Sequence, residues 1–230
     1  MPTVSQLLTR FLVDLASRAG FVWEKVTARY RDKATGRFVS ESALRELSDG
    51  FVDNVRNNLQ GIGQQLAGRS IDLATFQRRF AQELKDSYLT NYMISRGGKN
   101  ALTQADYGRI GGYLKNEYRF LNQFGRDIAS GTMSEAQILA RIDLYAENTK
   151  RAYEAGQIVA TIEADDGFLV WRFGATEQHC ADCFRLNGQV HKASKWESAG
   201  IEPKSPDLAC GGYHCDCRLE PHEGPEKGNF

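Results

Sequence analysis

Between Ser40 and Val159 apolar residues return at three- and four-residue steps, and that period restricts this part of the chain to packed helices. Leu44, Leu47, Phe51, Val55, Leu59, Ile62 and Leu66 fall on one face of a helix from Ser40 to Gly68, with Ser40 or Ser42 to cap its start and Gly68 at its end. A second helix follows Ser70-Ile71-Asp72. Its Phe76, Phe80, Leu84, Tyr88 and Tyr92 step by four, and Gly97-Gly98 stops it. A third runs from about Thr103 to Ser130, with Tyr107, Ile110, Leu114, Leu121, Phe124 and Ile128 inward. Gly108, Gly111 and Gly112 each cost it about 1 kcal/mol relative to alanine, which predicts a kink or a close backbone approach. A fourth, capped by Ser134, carries Ile138, Ile142, Tyr145, Thr149 and Tyr153 toward Val159. Long helices joined by short loops predict a mainly α fold, a helix bundle or extended helical arm.

The flanking segments are less regular. Residues 3–19 place Leu7, Leu8, Phe11, Leu12 and Leu15 on one side of a short amphipathic helix. Arg10 and Asp14 interrupt the apolar stripe, no basic segment precedes it, and no small-residue cleavage site follows, so a signal peptide is not expected. In residues 21–39, Val22, Trp23, Val26 and Tyr30 lead into the polar turn at 31–37, and Phe38 and Val39 follow, which suggests a hairpin or an irregular arm. Arg29, Arg31, Lys33 and Arg37 make this the densest basic patch, a place for contact with an acidic protein surface or with DNA, or a plain surface turn. Lys+Arg and Asp+Glu balance at 29 each, so the whole chain is no electrostatic trap for nucleic acid. The pairs Arg78-Arg79 and Lys150-Arg151 read first as solvated helix faces. No apolar run approaches the roughly 20 residues that span a bilayer.

The pattern changes at Ala164, where we place a boundary between a helical domain, 1–164, and a strand-and-loop module, 165–230. Asp165-Asp166-Gly167 is a turn, Phe168 to Phe173 reads as a strand, and no helical period resumes. The module's large aliphatics are few, namely Leu169, Val170, Leu186, Val190, Ile201, Leu208 and Leu219. A core that small calls for a staple.

All five cysteines lie in this module, at Cys180, Cys183, Cys210, Cys215 and Cys217. An odd count and the lack of an export signal argue against a full set of disulfides. A C-x-x-C turn offers two thiolates to one ion, and a tetrahedral Zn2+ is completed by two more. The first choice of ligands is Cys180, Cys183, Cys215 and Cys217, with Cys210 the main alternative and His214 a substitute. His179 and His191 are more distant options. The turn Leu186-Asn187-Gly188 would place the first pair at a hairpin edge. A redox dithiol at Cys180 and Cys183 ranks lower because no βαβ pattern surrounds it. A catalytic zinc ranks lower too: four thiolates leave no open position for water, and no His-x-Glu element accompanies them.

The ordered set Cys180, Cys183, Leu186, Gly188, Trp196, Pro203, Pro206, Cys210, Gly211, Gly212, Cys215, Cys217, Arg218 and Leu219 resembles the C-terminal region of tailed-phage minor head proteins, the head-morphogenesis family. The likeness is dense over about forty residues and covers only the last quarter of the chain. It implies a virion structural protein and not an enzyme, located in the head or neck and in the host cytoplasm during assembly. It further implies portal protein and major capsid protein as partners, a structural Zn2+, packaged DNA as a further contact, and a part in capsid assembly and in DNA packaging or ejection. No membrane and no small-molecule substrate are expected. Many relatives carry histidine near the position of Gly212, where this chain offers Cys210 and His214 instead. The alternatives are a thiol- or zinc-dependent enzyme in the C-terminal module and a DNA-binding zinc protein.

Overall fold

A computed structural model of the chain describes residues 14–175, 178–212 and 215–230. The fold is mainly α, with a small three-stranded sheet and a cysteine cluster near its C-terminal end. Of the helix expected over 3–19, α1 (Leu15–Arg18) belongs to the described residues, and Leu7, Leu8, Phe11 and Leu12 lie outside them. Five longer helices follow: α2 (Glu41–Ala67), α3 (Leu73–Arg96), α4 (Gln104–Ala129), α5 (Glu135–Asn148) and α6 (Lys150–Ala164).

Local chemistry sets their ends. The side chains of Ser40, Asp72, Thr103 and Ser134 each accept a hydrogen bond from a backbone N–H of the first turn, at Ala43, Thr75, Asp106 and Gln137. Thr103 and Ser134 complete reciprocal capping boxes with Asp106 and Gln137. Gly97 ends α3 in the left-handed region at φ 104°. The fourth periodic segment is two helices and not one. The chain breaks at Thr149, whose buried hydroxyl donates to Ala146 O at 2.7 Å and accepts from Asn91 Nδ2 at 2.9 Å. At Gly108, Gly111 and Gly112 no other backbone comes close. α4 runs through them, and a Cβ at any of the three would meet open space.

α3 is the axis of the bundle. From Ser87 to Arg96 every residue is buried, because α2, α4 and α6 all pack against it. Phe76, Phe80, Phe124 and Tyr145 stack edge-on or tilted with centroids 5.2–6.1 Å apart. The aromatic row of α3 is therefore core. Its polar residues are satisfied internally: Ser48 Oγ donates to Asn91 Oδ1 at 2.7 Å, and Ser95 Oγ donates to Tyr153 O at 2.6 Å. α6 approaches so closely that a Cβ on Gly156 would lie 2.3 Å from Ser95 Oγ and 2.8 Å from Tyr92 O.

The segment 21–39 forms an antiparallel hairpin, β1 (Phe21–Glu24) with β2 (Arg29–Asp32). It is pinned to the bundle by buried Tyr30, whose hydroxyl donates to Met93 O at 3.2 Å. Arg31 pairs with Glu24 at 3.0 Å, and Arg29 and Arg31 both lie over the Phe38 ring, while Lys33 and Arg37 are exposed. The expected basic pairs are partly spoken for. Lys150 meets Asp49 at 2.8 Å, and Arg151 is paired with Glu202.

Beyond α6, β3 (Phe168–Arg172) is the centre of an antiparallel sheet, flanked by β4 (Val190–Lys192) and β5 (Arg218–His222). Two short helices interrupt what reads from sequence as strand and loop, α7 (Ala181–Leu186) and α8 (Ala193–Ser198). Asp166, at φ 52°, turns the chain into β3 and accepts hydrogen bonds from Ser194 N and Oγ at 2.8 and 2.7 Å. The module's core joins Leu169, Trp171, Leu186, Trp196 and Leu219 to Ile158 of α6. Arg45 fastens the two parts from the other side: it pairs with Glu154 of α6 and Glu41 of α2, and donates to Leu219 O of β5 at 2.9 Å. Among the described residues no helix is long and apolar enough to cross a membrane.

Candidate metal centre

The spacing of Cys180 and Cys183 acts through a helix start, not through a hairpin edge. Cys180 is the N-cap of α7 and its sulfur accepts from Cys183 N at 3.5 Å, so Cys183 sits at the third helical position. An N-cap side chain and the side chain three residues on lie side by side, and the two sulfurs are 3.4 Å apart. The turn at Asn187-Gly188 is present, but it follows a helix, and Asn187 Oδ1 there accepts from Phe173 N at 3.1 Å.

The second group of sulfurs arrives from the loop leading into β5. The sulfurs of Cys180, Cys183 and Cys210 lie within 4.8 Å of one another, as do those of Cys183, Cys215 and Cys217. Cys183 belongs to both triads. Cys183, Cys215 and Cys217 are buried, while Cys180 and Cys210 are half-buried at the rim. A tetrahedron of sulfurs at the Zn–S length of about 2.3 Å has edges of about 3.8 Å, so each triad is near the right size for one face of such a site. No disulfide links the five.

The residues that hold the loops in place carry no metal-binding signature of their own. Asp182, inside the C-x-x-C segment, accepts from Ala209 N at 2.8 Å and from Arg185 Nη2 at 3.0 Å, which ties α7 to the residue before Cys210. These bonds hold its carboxyl below the usual carboxylate range. Lys204 Nζ donates to Cys215 O at 2.5 Å. Gly174 lies against the last loop so closely that a Cβ there would fall 2.2 Å from Asp216 O. An acid in the first turn of a helix is a recognised sequence signal, so Asp182 was readable as a mark of α7. Lys204 and Gly174 act on residues far along the chain, and nothing local announces them.

Thiol ionisation is strongly coupled here. The Cys217 thiol hydrogen-bonds to Cys215 and draws it down to about 5 against the effect of burial, with the Lys204 ammonium assisting. Cys217 is pushed up by the same bond. Burial raises Cys183 to about 12 and Cys210 to about 11. Sulfurs this close cannot all become thiolates without a cation among them, since each added charge repels the rest in a low dielectric. The donor set is all sulfur and fits a soft or borderline divalent ion.

Of the histidines considered from sequence, His179 stacks on Phe173 at 3.8 Å between ring centroids, with Nδ1 3.9 Å from Cys217 Sγ. His191 is a core residue of the module and not a ligand. Fully buried, it contacts Gln189 Oε1 and Lys195 Nζ at 3.1 Å and packs on Trp196 and Phe230. His214 lies outside the described residues. Gly212 is at φ +77°, and a Cβ would stand 2.5 Å from Lys204 O, so no larger side chain fits there.

No protein-family model, no curated protein and no solved structure matches this chain.

Proposed function

We propose that this chain is a structural protein of a tailed-phage head, seated at the portal or on the inner capsid surface, in which one Zn2+ holds the C-terminal module in shape. The supporting observation is that the cysteines of the family-like motif, from three separate stretches of chain, converge on a single cluster. The proposed ligands are Cys180, Cys183, Cys215 and Cys217, with Cys210 at the rim. Four thiolates saturate the ion, so it supplies cross-linking and no reaction chemistry. The partners are portal protein and major capsid protein, met through surfaces of the module and of the hairpin at Lys33 and Arg37. The role is head morphogenesis, with DNA packaging or ejection as the step served. A thiol-dependent enzyme has less support, because Cys215, the sulfur most readily ionised, is only 4% exposed.

Native mass spectrometry of the purified chain should find one zinc per molecule, and co-expression with portal protein should yield a complex that survives size exclusion. A folded, metal-free chain would defeat the zinc assignment. Absence of the protein from both procapsids and mature heads would defeat the virion assignment.

A further inference from the structure

A cleft of about 580 Å³ opens between α4, α5 and the loop through Pro206 and Gly211, and no cysteine lines it. That volume is in the range of small-molecule sites. On its floor Glu117 Oε1 accepts from Tyr88 Oη at 2.8 Å and from Asn148 Nδ2 at 3.3 Å, and among the described residues Oε2 takes no hydrogen bond. Burial holds the Glu117 carboxyl above its usual range, so an incoming N–H donor would relieve a desolvated acceptor. One wall is aromatic. The Tyr113 ring is held by its hydroxyl on Glu202 at 2.9 Å and by the Arg151 guanidinium 4.2 Å over its face, and Phe120 stands 42% exposed at the mouth.

Two of the four cations around the cleft are already engaged, Arg151 with Glu202 and Lys204 with Cys215 O. Arg119 and Arg141 are exposed and have no carboxylate partner among the described residues. Arg141 and Asn148 lie two turns apart on the same face of α5, about 10 Å along the axis. That is the scale of a nucleotide from base edge to phosphate. The cleft thus offers a hydrogen-bond acceptor on its floor, aromatic rings on one wall and two guanidinium forks with no carboxylate partner among the described residues, Arg119 over Phe120 at 4.6 Å and Arg141 over Phe124 at 6.0 Å.

We infer that this cleft binds a nucleotide, with an amino-bearing base set on Glu117 against the aromatic wall and its phosphate between Arg119 and Arg141. Each element has its chemical counterpart. A carboxylate accepts from the exocyclic amino group of cytosine, an aromatic face stacks any base, and guanidinium forks match phosphate oxygens. We read it as a binding site: among the described residues that line it, no nucleophile stands beside Arg119 and Arg141. A free nucleotide and the terminal nucleotide of a single strand present the same groups.

Isothermal titration of the full, zinc-loaded chain with dCMP, dAMP, dTMP, deoxycytidine, inorganic phosphate and a short single-stranded oligonucleotide tests this. dCMP and dAMP should bind, dTMP more weakly, and deoxycytidine at least tenfold more weakly than dCMP. Arg119→Ala with Arg141→Ala should lower dCMP affinity tenfold or more with an unchanged circular dichroism spectrum, and Glu117→Gln should erase the preference for dCMP over dTMP. Equal affinity for dCMP and the oligonucleotide would identify free nucleotide as the ligand, and much tighter binding of the oligonucleotide would identify a strand end. No heat with any nucleotide at millimolar concentration, or equal affinity for deoxycytidine, dCMP and inorganic phosphate, would overturn the inference. If the arginine variant misfolds, the comparison of deoxycytidine with dCMP on the unaltered chain decides. None of these outcomes bears on the zinc or virion assignments, which rest on other residues.

Discussion

Cys183 is the sulfur common to both triads and the one that links Cys180 and Cys210 to Cys215 and Cys217. Cys183→Ser should therefore lose the metal altogether, whereas Cys210→Ser should keep close to one zinc per chain, as read by inductively coupled plasma mass spectrometry. Equal loss in both variants would put Cys210 in the ligand set in place of Cys215 or Cys217. Backbone positions matter as much as thiols at this scale. Gly174 and Gly212 leave room for Asp216 and for Lys204 O, and those contacts bring the last two cysteines to the first two. A reader of the sequence sees five sulfurs. The glycines that let them meet look like any other turn residues.

At the scale of elements, the crossing of α3 and α6 depends on Gly156. Alanine is ordinarily favoured over glycine inside a helix by about 1 kcal/mol. Here its methyl group would press on Ser95 Oγ and Tyr92 O, so Gly156→Ala should lower stability instead of raising it, measured as the midpoint of urea unfolding. The start of α4 carries a pH signature. Burial pushes the Asp106 carboxyl up, but hydrogen bonds from Tyr92 Oη and from Thr103 N and Oγ1, with Arg96 alongside, bring it net below its ordinary value. Its stabilising contribution is therefore complete above the unfolded value of about 3.9 and is lost as pH falls through the lower folded value. Asp106→Asn should flatten the acid limb of the stability profile below about pH 4, followed by circular dichroism. Helix ends such as Ser40, Gly97 and Ser134 were readable because a cap acts within one turn. The break at Thr149 was not, because the bond that favours it comes from Asn91 on another helix.

Across the whole molecule, Arg45 and Ile158 join bundle to module. Arg45→Ala would leave Glu154, with its side chain only 5% exposed, facing Leu219 N without its countercharge. That should cost about 3 kcal/mol in chemical denaturation. Stripping the metal with a chelator should open the module first, since its aliphatic core is small, while α2 to α5 persist around Phe76, Phe80 and Phe124. Limited proteolysis with and without chelator should show cleavage beyond Ala164 preceding cleavage in the bundle. Simultaneous loss of both parts would mean that the Arg45 and Ile158 contacts make them one cooperative unit.

What the sequence by itself determined is what acts over one turn of helix or one chain segment: the apolar period of α2 to α4, their caps, the turn at Asp166, and the gathering of all the sulfur into one module. The tertiary structure alone decided which helix would lie at the centre and where the long last segment would break. It also set Cys180 and Cys183 on a helix start and opened a cleft between α4 and α5. Those outcomes depend on groups far apart in the chain, such as Asn91 with Thr149, Asp182 with Ala209 and Gly174 with Asp216, and their energies exist only after the chain has closed the loops between them.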